Sequence, residues 1–328
     1  YPGPGLNRHT IVYREDDPDP IAAEFCDINS ILPPVPDGGG QFAMRLGNSS
    51  AGAQAERVLL RFTVTEELTY FLLHYAVVLN DPDHQHFEQP RFELRIRDGN
   101  GNPFPCGEYL VRAAEHIPGF ETCEEGWRVR PWTAAGFELQ SYLGQEIQIE
   151  ILTTDCSQGA HAGYAYMDAN CQPLQIEIDG YCPDSEVVRI SVPIGFSSYT
   201  WSTGDTTNVI EVTNPVPRTN YSVTVTSATG CDLVLEDELP ALEDLPAPQF
   251  DPHPDEVICA GESVWLRPTG DNLEEIFSLD FGYAADSFLV SPINPTVYTF
   301  IASDRYGCES DTLNILVDVG GLPIDTAI

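Results

Sequence analysis

The spacing of four cysteines in the second half of the chain constrains its fold more than any other feature. Cys182 and Cys231 lie 49 positions apart, Cys259 and Cys308 lie 49 positions apart again, and the second pair follows the first by 77 positions (182 to 259 and 231 to 308). A spacing that recurs in this way predicts two tandem copies of one module, each closed by its own disulfide. Such a bridge stabilises a module by roughly 4 kcal/mol in the chain-entropy model.

The sequence around these cysteines predicts two small β-sandwiches of the immunoglobulin type. The first copy contains Trp201, which we expect to be buried near the disulfide, and an alternating strand at 221–225. In the second copy an alternating strand covers 296–301, and Phe277 stands at the position of Trp201. A stretch rich in proline and acidic residues, 239–254, predicts a linker between the copies.

Upstream of the repeats, the hydrophobic pattern predicts a series of short antiparallel strands. Around 92–97 apolar and charged residues alternate, which is typical of a half-buried strand, and the Gly- and Asn-rich segment 98–102 predicts the turn that follows. Eight or nine such strands lie between residues 41 and 180 without a convincing helix, which predicts a jelly-roll sandwich. The first 40 residues, rich in proline and glycine, are expected to be irregular apart from one short strand at 10–14.

The predicted fold class is therefore all-β: a jelly-roll-like β-sandwich followed by two Ig-like β-sandwich modules. The predicted domains are an irregular N-terminal segment at 1–40, the jelly roll at 41–180, the Ig-like modules at 181–246 and 247–319, and a linker at 320–328.

The nine cysteines also indicate the compartment. Besides the two bridges in the repeats, Cys182–Cys231 and Cys259–Cys308, we predict bridges Cys106–Cys123 and Cys156–Cys171, which leave Cys26 unpaired. Disulfides persist in oxidising compartments, so an extracellular or cell-surface location is expected. The alternatives are a reduced cytosolic protein with buried thiols, and metal ligation by cysteine, which the absence of a Cys-x-x-Cys motif disfavours.

The charge of the chain restricts its partners. Its formal net charge is -36, from 51 acidic and 15 basic residues, and every basic residue is an arginine. Nucleic acids and anionic membranes require a cationic surface, so neither is an expected partner. The most apolar run, 70–79, is too short to span a bilayer, and no direct membrane insertion is expected. Because the chain starts at Tyr1 without a signal peptide, we expect it to be a piece of a longer or processed protein.

The two modules resemble a known class of repeats. Their matching stretches are 201–204, 221–225, 230–231, 259–263 and 307–308, and they are similar to the Ig-like or PKD-like repeats of very large secreted surface proteins of Bacteroidota. That class includes gliding-motility adhesins and other cargo of the type IX secretion system.

The upstream part is similar to a domain that accompanies such repeats, so that the resemblance covers most of residues 41–318. Its matching stretches include 45–48, 75–79, 118–120 and 159–171, although Ala160 stands where glycine is expected and Phe277 where the repeats have tryptophan. The resemblance implies a modular architecture and export, and no particular ligand.

The densest polar cluster follows the apolar strand at 70–79. Asp81, Asp83 and Glu88 offer carboxylates to a hard cation such as calcium, which takes about six to eight oxygen ligands. Asp168, together with Asn48 and Glu56, could complete a second calcium site. The predicted metal ligands are Asp81, Asp83, Glu88 and Asp168, with calcium as the cofactor. The alternatives are a solvated loop, and a zinc site formed by His84, His86 and His161.

Four aromatic residues are candidates for ligand binding. Tyr164 and Tyr166 alternate on one strand and could stack on a sugar, while Trp127 and Trp132 flank a loop that carries two arginines. The alternative is that these aromatic side chains belong to the core or to a packed loop.

No catalytic motif is present. The sequence lacks a Gly-x-Ser-x-Gly elbow, a phosphate-binding loop and a His-Glu-x-x-His motif, so we expect no enzymatic activity. We predict an extracellular structural or adhesive protein, part of a large surface adhesin or appendage, with the Ig-like modules as disulfide-stapled spacers. Expected partners are neighbouring modules, copies of the same protein, and surface glycans. The alternatives are a glycan-binding module of a large secreted enzyme, and a self-assembling filament subunit whose N-terminal segment adds a strand to a neighbouring copy.

Overall fold

The computed structural model describes residues 7–26, 32–37, 39–81, 84–85, 87–113, 119–183, 185–227, 229–241, 257–267, 273–310 and 312–320. Nearly all regular structure in these residues is β, which confirms the predicted fold class. The chain divides into two compact units, the first comprising Tyr1–Gln175, Val192–Asn208 and Ser222–Leu235, and the second Ile176–Ser191, Val209–Tyr221 and Glu236–Ile328. The predicted domain boundaries stay predictions.

Among the described residues before 175, the chain forms ten strands and one α-helix. The strands are β1 (His9–Tyr13), β2 (Phe42–Leu46), β3 (Ala55–Thr63), β4 (Tyr70–Asn80), β5 (Arg91–Asp98), β6 (Pro103–Arg112), β7 (Glu121–Thr122), β8 (Trp127–Glu138), β9 (Glu146–Thr154) and β10 (Gly163–Gln172). The helix is α1 (Pro20–Phe25), and single 3₁₀ turns cover Glu66–Leu68, Glu124–Gly126 and Gln140–Tyr142.

These strands form two antiparallel sheets in the order of a jelly roll. One sheet has the order β1-β2-β10-β4-β8-β7 and the other β3-β9-β5-β6. The chain passes between the sheets from β2 to β3, from β3 to β4, from β4 to β5, from β6 to β7, from β8 to β9 and from β9 to β10, while β1 and β7 extend the edges of the first sheet. This connectivity confirms the jelly-roll prediction.

The six-stranded sheet is buried on both faces, which explains why β4 is apolar almost throughout. Its inner face, with Phe71 and Tyr75, packs into the core between the two sheets. Its outer face contributes Ala76 and Val78 to a second apolar cluster, which the N-terminal residues cover. A strand that is buried on both faces reads as a continuous apolar run rather than as an alternating one.

The covering segment, residues 7–26 and 32–37, is called the strap below. The short strand predicted at 10–14 is confirmed as β1, which pairs antiparallel with β2, whereas the helix α1 was not expected in a segment predicted to be otherwise irregular. Asp19 caps α1, since its Oδ1 accepts a hydrogen bond from the Ala22 amide at 2.9 Å, and Pro20 occupies the first turn, where its missing amide hydrogen costs nothing. Leu32 and Val35 complete the apolar contact with the outer face of the sheet.

Six strands follow the jelly roll and form two three-stranded antiparallel sheets. The strands are β11 (Glu177–Asp179), β12 (Val187–Ser191), β13 (Ser198–Trp201), β14 (Val209–Thr213), β15 (Asn220–Thr226) and β16 (Asp232–Glu238), and the sheets have the orders β11-β12-β14 and β13-β15-β16. Trp201 is buried as predicted, and its indole Nε1 donates to the Thr207 carbonyl at 2.7 Å.

The last eight strands form sheets of four, two and two strands. They are β17 (Ile258–Cys259), β18 (Val264–Leu266), β19 (Leu273–Ser278), β20 (Tyr283–Ala284), β21 (Phe288–Val290), β22 (Thr296–Asp304), β23 (Leu313–Val317) and β24 (Val319–Gly320). The sheet orders are β20-β19-β22-β23, β18-β21 and the parallel pair β17-β24. Phe288 and Phe300 lie at the centre of the apolar core. Phe277, at the position that matches Trp201, is 40% exposed, so this module does not bury the equivalent aromatic side chain.

The disulfides differ from every pairing that we predicted. The bridges are Cys26–Cys123, Cys106–Cys231 and Cys182–Cys308, with sequence separations of 97, 125 and 126. The equal spacing of cysteines in the two copies indicates equivalent positions in a repeat. It does not determine the pairing, because a disulfide requires α-carbons within about 4.4–6.8 Å of each other, and here segments far apart in the sequence meet that condition. The three cysteines that stay free are Cys156, Cys171 and Cys259.

The geometry of β10 excludes the predicted bridge between Cys156 and Cys171. Gly163, at the start of β10, pairs with Leu79, and Cys171, near its end, pairs with Phe71. At about 3.3 Å per residue, eight residues of strand separate these positions by roughly 26 Å. Cys156 precedes Gly163, so the two sulfur atoms lie near opposite ends of the strand.

Backbone contacts explain the bridges that form instead. The Thr229 hydroxyl donates to the Cys106 carbonyl at 3.0 Å, which brings the turn before β16 against β6 and Cys231 against Cys106. In the second unit the Gly180 amide donates to the Tyr306 carbonyl at 2.7 Å, which places Cys182 beside Cys308. Neither contact lies within one sequence repeat.

Candidate functional site

Three side chains with metal-ligating atoms converge at one end of the jelly roll. His84, Cys156 and His161 each offer a nitrogen or sulfur atom, and these atoms all lie within 4.8 Å of one another. His84 Nδ1 is 3.3 Å from Cys156 Sγ, and the His84 and His161 rings meet edge to face with centroids 5.1 Å apart. Among the described residues this is the cluster in which three such groups come this close.

The connection between β9 and β10 presents two of the three residues. Within it, the Cys156 amide donates to the His161 carbonyl at 2.9 Å, and the Gly159 amide donates to the Cys156 carbonyl at 2.9 Å. Gly159 has a positive φ of 76°, which glycine adopts without strain. The resulting tight turn places Cys156 and His161 side by side; residues 155–162 are called the thiol loop below.

A buried arginine fixes the base of the thiol loop. Asp155 accepts hydrogen bonds from the Gly163 amide and from the Gln54 amide, and its carboxylate pairs with Arg8 Nη2 at 3.1 Å. Arg8 also pairs with Glu56, whose side chain is buried, and donates to Asn48 Oδ1. Asn48 and Glu56 were two of the residues considered for a second calcium site, and in the structure their cation is the Arg8 guanidinium.

The segment that carries His84 is bonded to the same loop. The Ser157 amide donates to the Glu88 carbonyl at 3.1 Å, and Gln158 Nε2 donates to Glu88 Oε1 at 2.9 Å. Gln89 Nε2 donates to the carbonyl of His84 itself at 3.1 Å. The backbone on both sides of the cluster is thereby positioned before any ligand arrives.

The environment of the cluster partly shields it from water, because Cys156 is buried and both histidines are half-buried. Cys156 is fully buried, and His161 Nδ1 is buried without a hydrogen-bond partner. Burial lowers the pKa of His161, and the neighbouring His84 lowers it further, whereas the Asp81 carboxylate acts in the opposite direction. His161 therefore favours the neutral imidazole, which has a free lone pair.

The predicted calcium ligands are not gathered at one place. Asp81 Oδ2 accepts from Arg128 Nε at 2.9 Å and pairs with Arg128 Nη2 at 2.8 Å, and Glu88 is bonded to the thiol loop. Asp168 lies opposite His74 of β4 in the sheet. It is five residues along β10 from Gly163, so that about 17 Å of strand separates it from the end of the thiol loop. Asp83, and His86 of the zinc alternative, lie outside the described residues. Calcium binding stays a prediction.

The four aromatic candidates for ligand binding are covered by the strap. Tyr164 and Tyr166 are 2% and 3% exposed, and both phenols donate to the Asp19 carboxylate. Trp127 stacks on Phe25 of α1. Trp132 is half-buried, and its Nε1 donates to the carbonyl of Pro33. The structure therefore corrects the sugar-stacking interpretation of Tyr164 and Tyr166, because the strap occupies the face on which a ligand would stack.

A cavity of about 370 Å³ opens beside the Cys106–Cys231 bridge. On one side the rings of Phe104 and Tyr142 stack with centroids 3.7 Å apart. The polar residues of the lining are Glu138, Ser141, Ser227 and Asp232. Burial raises the pKa of Tyr142, and the Glu138 carboxylate raises it further. The volume and the mixed lining suit a small polar ligand with an apolar face.

The sequence suggested His84 and His161 only in the zinc alternative, together with His86, and it did not suggest Cys156, because that residue was assigned to a disulfide. One signal was available: Cys156 and His161 flank a glycine-containing segment short enough to return the chain on itself.

Comparisons with known proteins give no assignment. Neither a protein-family model nor a curated protein sequence matches the chain. Among solved structures, the fibronectin(III)-like modules of CbhA from Clostridium thermocellum are 13% identical, with a TM-score of 0.25, and the match covers 46% of this chain and 97% of that one. The BSP domain of a biofilm-associated protein is 13% identical, with a TM-score of 0.18 and coverage of 84% and 66%.

A third structure, the adhesin domain of Epf from Streptococcus pyogenes, is 12% identical with a TM-score of 0.19, and the match covers 60% of this chain and 76% of that one. TM-scores this low carry no argument about function, which is therefore derived from the chain's own residues.

Proposed function

We propose that this protein is an extracellular structural and adhesive protein, a segment of a larger surface adhesin or appendage whose β-sandwiches are held together under load by disulfides. Three bridges in an all-β chain favour an oxidising compartment. The described residues contain no helix with the length and apolar character needed to cross a bilayer. The resemblance of the repeats to secreted surface proteins of Bacteroidota supports export by a type IX system. The proposal includes no catalytic role.

The observation that carries this proposal is the order of the bridges along the chain. Cys106 lies between the two cysteines of the Cys26–Cys123 bridge, and Cys182 lies between the two cysteines of the Cys106–Cys231 bridge. Each bridge thus overlaps the next. A force applied to the two ends passes through the three bridges and through the segments 106–123 and 182–231, while the remaining sequence inside the bridged loops carries no tension. This arrangement suits a protein that must keep its length under load.

Force–extension measurement on single molecules held at their two ends tests the proposal. With the bridges intact, the unfolded chain should extend to roughly 400 Å, whereas after reduction it should reach roughly 1,100 Å, at about 3.5 Å per residue. The Cys259→Ser variant is the matched control, because Cys259 is free and exposed and its loss should leave both lengths unchanged.

A chain that reached its full length without reductant would contradict the proposal. So would a chain whose extension did not change on reduction.

The proposed partners are neighbouring modules, copies of the same protein, and surface glycans. For a glycan, the cavity beside Tyr142 offers a suitable volume, a stacked aromatic wall and acidic hydrogen-bond acceptors.

A further inference from the structure

We propose that His84, Cys156 and His161 together bind one thiophilic transition-metal ion of the zinc type, because two half-buried imidazoles and a buried thiol converge there in a pre-positioned cluster. This site is independent of the mechanical role proposed above. It differs from the calcium site and from the zinc alternative inferred from the sequence, since its sulfur ligand comes from the thiol loop.

The donor set and its spacing fit such an ion. Zinc takes thiolate sulfur at about 2.3 Å and imidazole nitrogen at about 2.0–2.1 Å, so that donor atoms in a tetrahedral site lie about 3.3–3.6 Å apart. His84 Nδ1 and Cys156 Sγ are already 3.3 Å apart, and no pair of donor atoms in the cluster exceeds 4.8 Å. The chain would supply three ligands and a water molecule the fourth. Calcium and magnesium are disfavoured because they prefer oxygen ligands.

A second observation points independently to a ligand. The Nδ1 atom of His161 is buried and has no hydrogen-bond partner, although buried polar atoms in proteins are nearly always satisfied. Coordination of a metal by the imidazole would remove the need for such a partner. Cys156 is one of three free cysteines, and the other two, Cys171 and Cys259, do not belong to such a cluster.

The competing interpretation is a reactive thiol that His84 activates. Nucleophilic cysteines are partly exposed, because the substrate must reach the sulfur, whereas Cys156 is fully buried. A dyad would also leave His161 without a role. Metal binding accounts for all three side chains and for the bonds that fix the loop, namely those of Asp155 with Arg8 and of Glu88 with Gln158.

The proposal is tested by titration with zinc and with cobalt. The protein is first freed of metal by a chelator, with its three disulfides intact and Cys156 as a free thiol. One equivalent of zinc should bind per chain in the presence of excess calcium and magnesium, which occupy non-specific carboxylates on this acidic surface. Cobalt should give the absorption of a tetrahedral ion together with a sulfur-to-cobalt charge-transfer band. Cys156→Ser should abolish that band, and His161→Ala should weaken binding by more than the about 10- to 100-fold that loss of an outer partner costs.

Two matched variants serve as controls. Cys259→Ser removes another free thiol, and His9→Ala removes an exposed imidazole, and both should bind like the wild type. The cobalt spectrum of the wild type needs no variant, so the test stands even if a buried substitution prevents folding. Absence of the charge-transfer band, or equal zinc binding by the wild type and a folded Cys156→Ser variant, would overturn the proposal. Either result leaves the force–extension test unaffected.

Discussion

A single carboxylate illustrates how much of the fold depends on one residue. Asp19 is 1% exposed and accepts hydrogen bonds from three donors: the Ala22 amide at 2.9 Å, the Tyr164 hydroxyl at 2.9 Å and the Tyr166 hydroxyl at 2.8 Å. It thus caps α1 and ties the strap to β10 at the same time. Tyr164 and Tyr166, predicted to stack on a glycan, instead bond to the strap through Asp19.

The Asp19→Asn variant should lower the free energy of unfolding by about 2–3 kcal/mol. An amide keeps one acceptor oxygen for these donors, and its NH₂ group faces hydroxyls that must then reorient; buried polar groups that lose a partner cost about 1–3 kcal/mol each. Chemical denaturation measures the difference. Asp37→Asn, the same change at an exposed position of the strap, should be close to neutral. Equal stability of Asp19→Asn and the wild type would contradict this account.

At the scale of the element, one close approach in the jelly roll requires a glycine. A Cβ atom on Gly136 of β8 would lie 1.7 Å from the hydroxyl oxygen of Tyr70 on the neighbouring strand β4. That hydroxyl donates to the Ile194 carbonyl at 2.6 Å, and the Gly136 amide donates to the Gly195 carbonyl at 2.8 Å. Tyr70 therefore joins the six-stranded sheet to the segment around Ile194 and Gly195.

Gly136→Ala should destabilise the protein by about 3 kcal/mol, because Tyr70 cannot move without losing its buried hydrogen bond. Thermal unfolding is the measurement. Gly40→Ala is the matched control, since a Cβ atom there meets nothing within 4 Å and its effect should stay within about 0.5 kcal/mol. Equal unfolding temperatures of Gly136→Ala and Gly40→Ala would contradict this account. They would show that β4 and β8 can move apart enough to accommodate the added methyl group.

Local sequence pattern predicted the elements but not their long-range contacts. Alternation on one strand correctly grouped Tyr164 and Tyr166, which both lie in the outer cluster. The pairing of Cys106 with Cys231 and the bond from Tyr164 to Asp19 join positions 125 and 145 residues apart. Such contacts depend on how the sheets close, which no local period encodes. For Cys156, the turn that brings it beside His161 is local, but the contact with His84 joins positions 72 residues apart.

At the scale of the whole molecule, buried tyrosines link stability to pH. Burial raises the pKa of Tyr70 and Tyr75 far above the usual value of about 10, and it raises that of Tyr164 and Tyr166, where the Asp19 carboxylate adds to the effect. In the unfolded chain these phenols ionise near pH 10. Above that pH the unfolded state binds fewer protons than the folded state, so the free energy of unfolding falls as the pH rises.

We expect alkaline unfolding to be abrupt. Of the 14 tyrosines, the buried group should ionise only as the chain unfolds, which gives a steep step in phenolate absorbance that coincides with loss of the far-ultraviolet signal of the sheets. The same protein in denaturant should titrate smoothly near pH 10. A smooth titration of all tyrosines in the folded protein would contradict the burial described for them.

The Arg8 guanidinium gives the N-terminus an influence that reaches beyond the strap. A bound ion exchanges with the solvent, whereas the Arg8 guanidinium is covalently attached to the residue that directly precedes β1. It can therefore leave Asp155 only when the start of that strand moves. If β1 separates from β2, Asp155 loses its cation, and the base of the thiol loop, with Cys156 and His161, is then held only by the hydrogen bonds to neighbouring amides and to Glu88. Metal occupancy would then record whether the first strand of the chain is in place.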